Sequence, residues 1–396
     1  MGLTERVKGE IRSFVKDQAN EFLTARLVEL GFVSPAQDFR HDVCGYDQRH
    51  RCRYEGNRGD IGIIACESGR PFAEKVIEGL EHQFKKSGSR SSNTFRLIPS
   101  EERHFANSEI KPIISESLRG MDVYVIQDVE NKITGYSVDE NLRALLTTMD
   151  AAHRSDAHYV TAVVPAFPYA RQDRAMGRES FTAAMVAREL EDANAERVIT
   201  LDIHNAAIGG FFRRALLEDL HASKNFLDYI HEEGLTKNLV VCAPDTGAAG
   251  RNKHYAERIG TELAMIYKTR DYKDGGEVDG MRLLGSVKGK NVLVVDDMID
   301  TAGTSVKAAK LLKDHEALEV YLVASLALFN GPALDRLDKA YDQGIINRVI
   351  ISDAVYHGGD EFLEAHPCIH RVSVAGYKAK VIFNINHHRS ISELLK

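Results

Sequence analysis

From Asp60 onward the chain repeats one pattern, a short apolar run followed by a segment with helical spacing, and this constrains the fold class before any motif is considered. The runs are Ile61–Ala65, Val123–Gln127, Tyr159–Pro165, Arg197–Asp202, Leu239–Ala243, Leu263–Tyr267, Val292–Val295, Val320–Ala327, Val349–Ile351 and Arg371–Val374. They are too short for stable helices and suit strands. Most lack polar alternation, which marks strands covered on both faces, as in parallel sheets. Helical patterns lie between many of them, as in Phe181–Ala193 and Thr304–Asp314. The class is therefore α/β, with parallel sheets flanked by helices. About ten strands exceed one compact unit, so two consecutive α/β domains are expected, residues 59–220 and 221–396, meeting near 212–235. Residues 1–58 stand apart as an extension. There Val7, Ile11, Val15, Phe22 and Leu27 mark an amphipathic helix over 4–30, stopped by Gly31 and followed by a polar strap.

Charge narrows the function classes. Lys and Arg number 51 against 58 Asp and Glu, a net charge of −7 over 396 residues. A chain that holds nucleic acid by phosphate neutralisation usually carries a basic excess, so a local pocket for a small anion is the better expectation. The five cysteines, Cys44, Cys52, Cys66, Cys242 and Cys368, are odd in number and scattered. That pattern opposes a disulfide framework and favours a reducing compartment. The longest apolar run, Val320–Phe329, is about ten residues, too short to span a bilayer. The opening MGLTERVKGE has no apolar signal core. A cytoplasmic location without membrane or nucleic-acid partners is expected.

The strongest local signal is Asn291-Val-Leu-Val-Val-Asp-Asp-Met-Ile-Asp-Thr-Ala-Gly-Thr-Ser305. An apolar strand delivers Asp296 and Asp297 to its carboxyl end, where ligands bind in open α/β sheets. The small, hydroxyl-rich Asp300–Thr304 then opens a helix, whose N-terminal N–H groups favour a phosphate. The bland alternative is an ordinary capped helix start. A second such loop, Asp245-Thr-Gly-Ala-Ala249, follows the run Leu239–Ala243. Arg171, Gln172 and Asp173 follow a Pro-Tyr turn; arginine offers a planar fork for phosphate oxygens, although a solvated salt-bridged turn reads the same way. Asp202 and His204 lie two apart at a strand end, so alternation places both on one side. Lys268 and Arg270 flank Thr269 at another strand end, before the Gly- and charge-rich Asp271–Gly280, which reads as a flap or as a solvated loop.

The Asn291–Ser305 segment resembles the phosphoribosyl diphosphate motif shared by phosphoribosyltransferases and ribose-phosphate diphosphokinases. Four further segments resemble the diphosphokinases, also called phosphoribosyl pyrophosphate synthetases. Pro168–Arg174 is similar to their ATP-contacting segment, and Val198–His204 to a strand ending in a Mg²⁺-associated Asp-x-His. Phe105–Glu109, with Ser117–Gln127 after it, resembles their adenine loop and next strand. Ala243–Ala249 is similar to their diphosphate loop. In family order these segments span about residues 59 to 396.

The resemblance implies two phosphoribosyltransferase-like domains and diphosphoryl transfer from Mg·ATP to the C1 hydroxyl of ribose 5-phosphate, releasing AMP. It implies that Asp300, Thr301, Ala302, Gly303 and Thr304 hold the 5-phosphate and that Asp296 and Asp297 hold the ribose hydroxyls. Asp245, Thr246, Gly247 and Ala248 would receive the diphosphate. Lys268 and Arg270 would stabilise the transition state. Asp202, His204 and Asp245 would serve Mg²⁺. Arg171, Gln172 and Asp173 would bind ATP, joined by Phe105, Asn107 and Glu109 from a neighbouring subunit of an oligomer. Four positions depart from the family pattern: Asn107 stands for Asp, Ser108 and Ala248 for Gly, and Thr269 for Arg. These departures keep open a catalytically silent regulatory subunit; a phosphoribosyltransferase is disfavoured by Arg171–Asp173 and Asp202–His204. In the extension, His41, Cys44, His50 and Cys52 offer zinc-type donors at a spacing unlike common fingers.

Overall fold

The computed structural model describes residues 57–87, 95–270, 278–392 and 394, with the backbone alone at 268–270, 278 and 279. The helix and strap expected in residues 1–56, with His41, Cys44, His50 and Cys52, lie outside the described residues. All described residues belong to one unit, Asn57–Lys396, which carries two principal sheets.

Short strands of three to five residues form the first sheet. Strands β1 (Ile61–Ala65), β2 (Phe95–Leu97), β5 (Asp122–Ile126), β6 (Tyr159–Val163), β7 (Arg197–Leu201) and β8 (Leu216–Leu220) lie in the order β2-β1-β5-β6-β7-β8, parallel throughout. Every residue of β1 and β5 is buried, as strands covered on both faces require. Helices α1 (Arg70–Ser87), α2 (Val138–Arg154) and α3 (Thr182–Asp192) connect them. A capping box starts α2: the Ser137 hydroxyl accepts from the Glu140 N–H, and the Glu140 carboxylate accepts from the Ser137 N–H. Between β2 and β5 a separate antiparallel hairpin, β3 (Ser100–His104) and β4 (Ile110–Ile114), leaves this sheet.

After α4 (Ser223–Glu232) the chain enters the second sheet. Its strands are β9 (Leu239–Ala243), β10 (Leu263–Arg270), β11 (Val278–Leu284), β12 (Asn291–Ile299), β13 (Val320–Ala327), β14 (Arg348–Ser352) and β15 (Ile369–Val372). They lie in the order β11-β10-β9-β12-β13-β14-β15, parallel except for the β10–β11 edge pair. Its helices are α5 (Ala249–Ile259), α6 (Gly303–Asp314), α7 (Ala333–Asp342) and α8 (Asp360–Ala365).

Chain order and layer order part at the last helix, α9 (Ala375–Asn386), which packs on α1 of the first lobe. At the crossing a Cβ on Gly79 would lie 2.7 Å from the Ala379 Cβ, so only glycine permits this approach. The fully buried Lys378 ammonium donates to the Thr200 carbonyl at 2.6 Å, and burial lowers its pKa to about 7. Asn386 donates to the Gly59 carbonyl and to Asp122, at 2.9 and 3.1 Å. The first lobe is thus closed by residues from the far end of the chain. No helix among the described residues is long and apolar enough to cross a membrane.

Candidate active site

Both sheets reverse strand order, the first between β1 and β5 and the second between β9 and β12. Parallel strands diverge above such a point and leave a crevice at their carboxyl ends. The β9–α5 loop brings Asp245, Gly247 and Ala248 to the second crevice, and β12 brings Asp296 and Asp297. From the first lobe, Asp173 and Arg174 follow β6, and His204 and Asn205 follow β7. These residues and Arg251 line one cavity of about 260 Å³. An adjoining cavity of about 220 Å³ is lined by Arg171, Gln172, Tyr169 and Glu130, and His204 borders both.

The two acids are not past the strand, as the end of the apolar run suggested. β12 continues through them, with Asp296 opposite Ala324 and Met298 opposite Leu326. Yet both carboxylates reach the same cavity and the same Arg251 guanidinium. Asp297 accepts from or pairs with His204 Nδ1 at 2.8 Å, and Arg251 lies 3.9 and 4.0 Å from Asp296 and Asp297. Burial and the Asp297 charge push the Asp296 carboxyl up. Burial also opposes ionisation of Asp297, but His204 and Arg251 outweigh it and hold Asp297 down. The hydrogen bond to Asp297 raises His204, and the Asp297 and Asp173 charges add to it. The cluster thus pairs one carboxyl inclined to keep a proton with a neighbour inclined to lose one.

Asp202 goes elsewhere. Strand β7 ends at Leu201, and Asp202 has φ 42°, so alternation no longer carries it to the side of His204. Its buried carboxylate accepts from the Ala222 N–H at 3.1 Å, pairs with His221 Nδ1 at 2.9 Å and accepts from the Ser325 hydroxyl. Both oxygens have protein partners, and Asp202 lines a separate cavity with His221, Arg251 and Tyr255 rather than the one beside His204.

In the phosphate-type loop, Ala302 adopts φ 58° and ψ 0°, a left-handed conformation for a residue with a Cβ. That costs about 1 kcal/mol and concentrates backbone strain where α6 opens toward a ligand. A Cβ on Gly303 would meet the Arg336 guanidinium at 3.2 Å, and that guanidinium donates to the Thr301 carbonyl at 2.8 Å. Asp300 accepts from Asn330 and from Arg171, both at 2.6 Å. The Arg171–Asp300 pair crosses between the lobes, joining two segments that the sequence marked for different ligand groups. Asp173 accepts from Asn205 at 2.5 Å, and Asp245 accepts from the Ala248 N–H at 3.0 Å. Ala248 has φ −82°, so alanine is unstrained there.

Lys268, Thr269 and Arg270 close β10, opposite Met281, Gly280 and Val278 of β11, with a register shift between Thr269 and Arg270. Their side chains lie outside the described residues, as do 271–277 of the expected flap. Phe105, Asn107 and Glu109 are exposed at the tip of the β3–β4 hairpin and line neither cavity. The turn is closed by Phe105 N–H to the Glu109 carbonyl, with Ser108 at φ 64° where glycine would be unstrained.

Arg251 is the residue that pattern reading missed. It sits in the first turn of α5, where the helix dipole disfavours a cation. A cation in that place implies an acidic partner, which here is the Asp296–Asp297 pair.

A family model described as the N-terminal domain of ribose phosphate pyrophosphokinase matches residues 61–193, and one for the phosphoribosyl transferase domain matches 217–358. The ribose-phosphate pyrophosphokinase of Helicobacter hepaticus is 36% identical over 321 residues, 81% of this chain and 98% of its own. The chain belongs to the ribose-phosphate pyrophosphokinase family. The corresponding enzyme of Porphyromonas gingivalis is 37% identical over 85% of this chain and 98% of its own. The solved phosphoribosylpyrophosphate synthetase of Mycobacterium smegmatis is 30% identical, covers 82% of this chain and 98% of its own, and superposes with a TM-score of 0.71. The likeness extends over both sheets, and this family of transferases has the two phosphoribosyltransferase-like domains that the sequence implied.

Proposed function

We propose that the chain transfers the diphosphoryl group of ATP to the C1 hydroxyl of ribose 5-phosphate, giving 5-phosphoribosyl 1-diphosphate and AMP. The observation that carries this reading is the cavity in which Asp245, Gly247 and Ala248 of one anion-type loop meet the paired acids Asp296 and Asp297, with Asp300 of the second loop joined to Arg171. Arg171 and His204 meet them from the other lobe. In this reading the α6 N-terminus takes the 5-phosphate. Asp296 and Asp297 accept from the ribose hydroxyls. The β9–α5 loop amides receive the diphosphate, and Arg171, Gln172 and Asp173 hold the ATP.

Positioning and charge compensation then do most of the catalysis. Arg171 must leave Asp300 to meet a phosphate, so ATP and sugar phosphate act on one lobe-to-lobe contact. Lys268 and Arg270 offset charge on the transferring group. Mg²⁺ would be held by the Asp245 carboxylate, an oxygen donor that fits a hard cation, with His204, whose Nδ1 pairs with Asp297, at the cavity wall. When bound, it supplies neutralisation of phosphate charge. Asp202 takes no part in this reading, because its carboxylate is engaged internally.

Phe105, Asn107 and Glu109 complete the ATP site of a second copy, since they line neither cavity beside Arg171. Three buried free thiols, Cys66, Cys242 and Cys368, suit a reducing, cytoplasmic setting.

The test is AMP formation from ATP, ribose 5-phosphate and Mg²⁺. Turnover by the isolated chain is expected, and its absence would count against the reading. Silence alone combined with altered turnover on mixing with an active relative would instead establish a regulatory subunit, the alternative favoured by Ser108 at its left-handed φ of 64°.

A further inference from the structure

The hairpin β3–β4 carries a second group of metal-type donors that the reaction does not use. Glu67, Glu102 and His104 place one ligand atom each within 4.8 Å of the others. His104 Nε2 lies 3.5 Å from Glu67 Oε2 and 3.7 Å from Glu102 Oε2. Ligands around a tetrahedral ion at about 2.0–2.1 Å sit about 3.4 Å apart, so both separations suit one shared ion. Neither separation is a hydrogen bond. His104 Nε2 is closed to solvent and has no hydrogen-bond partner. An imidazole nitrogen without a hydrogen bond, facing two carboxylates, is a position that a proton on the ring or a bound cation would stabilise.

Two of the three donors are held in place, and the half-exposed Glu67 carboxylate is free to adjust to them. Glu102 is only 9% exposed; its carboxylate accepts from the Glu67 N–H at 2.7 Å and from the Cys66 thiol, and its Oε2 faces His104. The His104 ring stacks on Tyr136 with centroids 4.2 Å apart and planes 1° from parallel. Glu67 follows β1 at the β1/β5 reversal, the first lobe's counterpart of the crevice that holds the acidic cluster.

We propose that Glu67, Glu102 and His104 form a binding site for a zinc-type divalent transition ion, separate from the site between the lobes. One imidazole with two carboxylates selects this class over Mg²⁺ or Ca²⁺, and three protein ligands leave a fourth position open. The ion would tie the β1–α1 loop to the base of the hairpin. Since Phe105 directly follows His104, the bound ion would also steady the Phe105–Glu109 turn.

Co²⁺ titration of the full chain in excess Mg²⁺ tests this, with visible d–d absorption as the readout. Wild type should take up Co²⁺ in an oxygen- and nitrogen-ligated form that lacks thiolate-to-cobalt charge transfer. This separates the site from Cys44 and Cys52. His104→Ala and the isosteric Glu102→Gln should each weaken that binding by about 100-fold or more. Glu102→Gln keeps an oxygen for the Glu67 N–H, so it remains informative if His104→Ala fails to fold. A titration unchanged by Glu102→Gln, a spectrum of thiolate bands alone, or no bound Co²⁺ would each overturn the proposal.

Discussion

The two lobes reverse strand order at corresponding places, but the crevices above those points are furnished in opposite ways. Above β1 and β5, several buried polar side chains pair with one another, although the His104 imidazole at the rim does not. Ser68 donates to Asn141 at 2.7 Å, Asn131 donates to the Ser68 carbonyl at 2.8 Å, and Asp128 accepts from the Tyr356 N–H at 2.8 Å. Above β9 and β12, charged groups line open space, and the Asp296–Asp297 pair leans on His204 and Arg251 from outside its own strand. A closed polar network contributes rigidity, whereas an open one keeps groups available to a ligand. The shared topology therefore supplies two candidate crevices, and side-chain satisfaction decides which one binds the reactants.

If this contrast holds, substitutions in the second crevice should impair turnover and spare the fold, and those in the first should do the reverse. Lys268→Ala should have the largest effect, a fall in AMP formation of about 10²–10³-fold with unchanged thermal unfolding. Equal turnover would remove the flap from the catalytic reading. Asn141→Ala should destabilise the first lobe by about 2–3 kcal/mol in urea unfolding, because Ser68 and the Val129 carbonyl lose partners, with kcat preserved. Asp297→Asn should raise KM for ribose 5-phosphate about 10–100-fold and lower the pKa of His204, which NMR titration can follow. The last expected effect is on pH dependence. Burial raises the Asp128 carboxyl from 3.8 to about 7, so the native chain retains a proton that the unfolded chain has lost. This contribution is full below about 4 and disappears as pH rises toward about 7. Asp128→Asn should make that decline shallower, by at most about 1.4 kcal/mol per pH unit. Parallel stability curves for wild type and variant would refute the assignment.

Much of the fold was legible because central strands bury both faces and so read as unbroken apolar runs; Ile61–Ala65, Leu239–Ala243 and Val320–Ala327 match the observed strands residue for residue. Edge and hairpin strands were not legible. β8 (LLEDL) and β3 (SEERH) carry charges on partly exposed backbone, and Pro112 interrupts the expected pattern in β4. β12 was read too short because its two acids resemble a strand end, whereas pairing with β13 continues through them. In the site, loops with their own small-residue grammar could be picked out, as at Asp300–Thr304 and Asp245–Ala248. Arg251 and the turning away of Asp202 depend on contacts between distant segments, which one-dimensional spacing does not encode. The path of α9 is of the same kind: a helix apolar on most sides shows that it needs partners but not which lobe provides them.

That path sets a conflict between the order of synthesis and the order of completion. Lys378 and Asn386 are needed at Thr200, Gly59 and Asp122, yet the whole second sheet is encoded between these groups. During translation the first lobe starts earliest and is finished last, holding the α1 face uncovered while the second lobe is made. The second lobe behaves as an insertion within the first, and a nascent chain halted before Ala375 would present that uncovered face as a surface for chaperones or for misassembly.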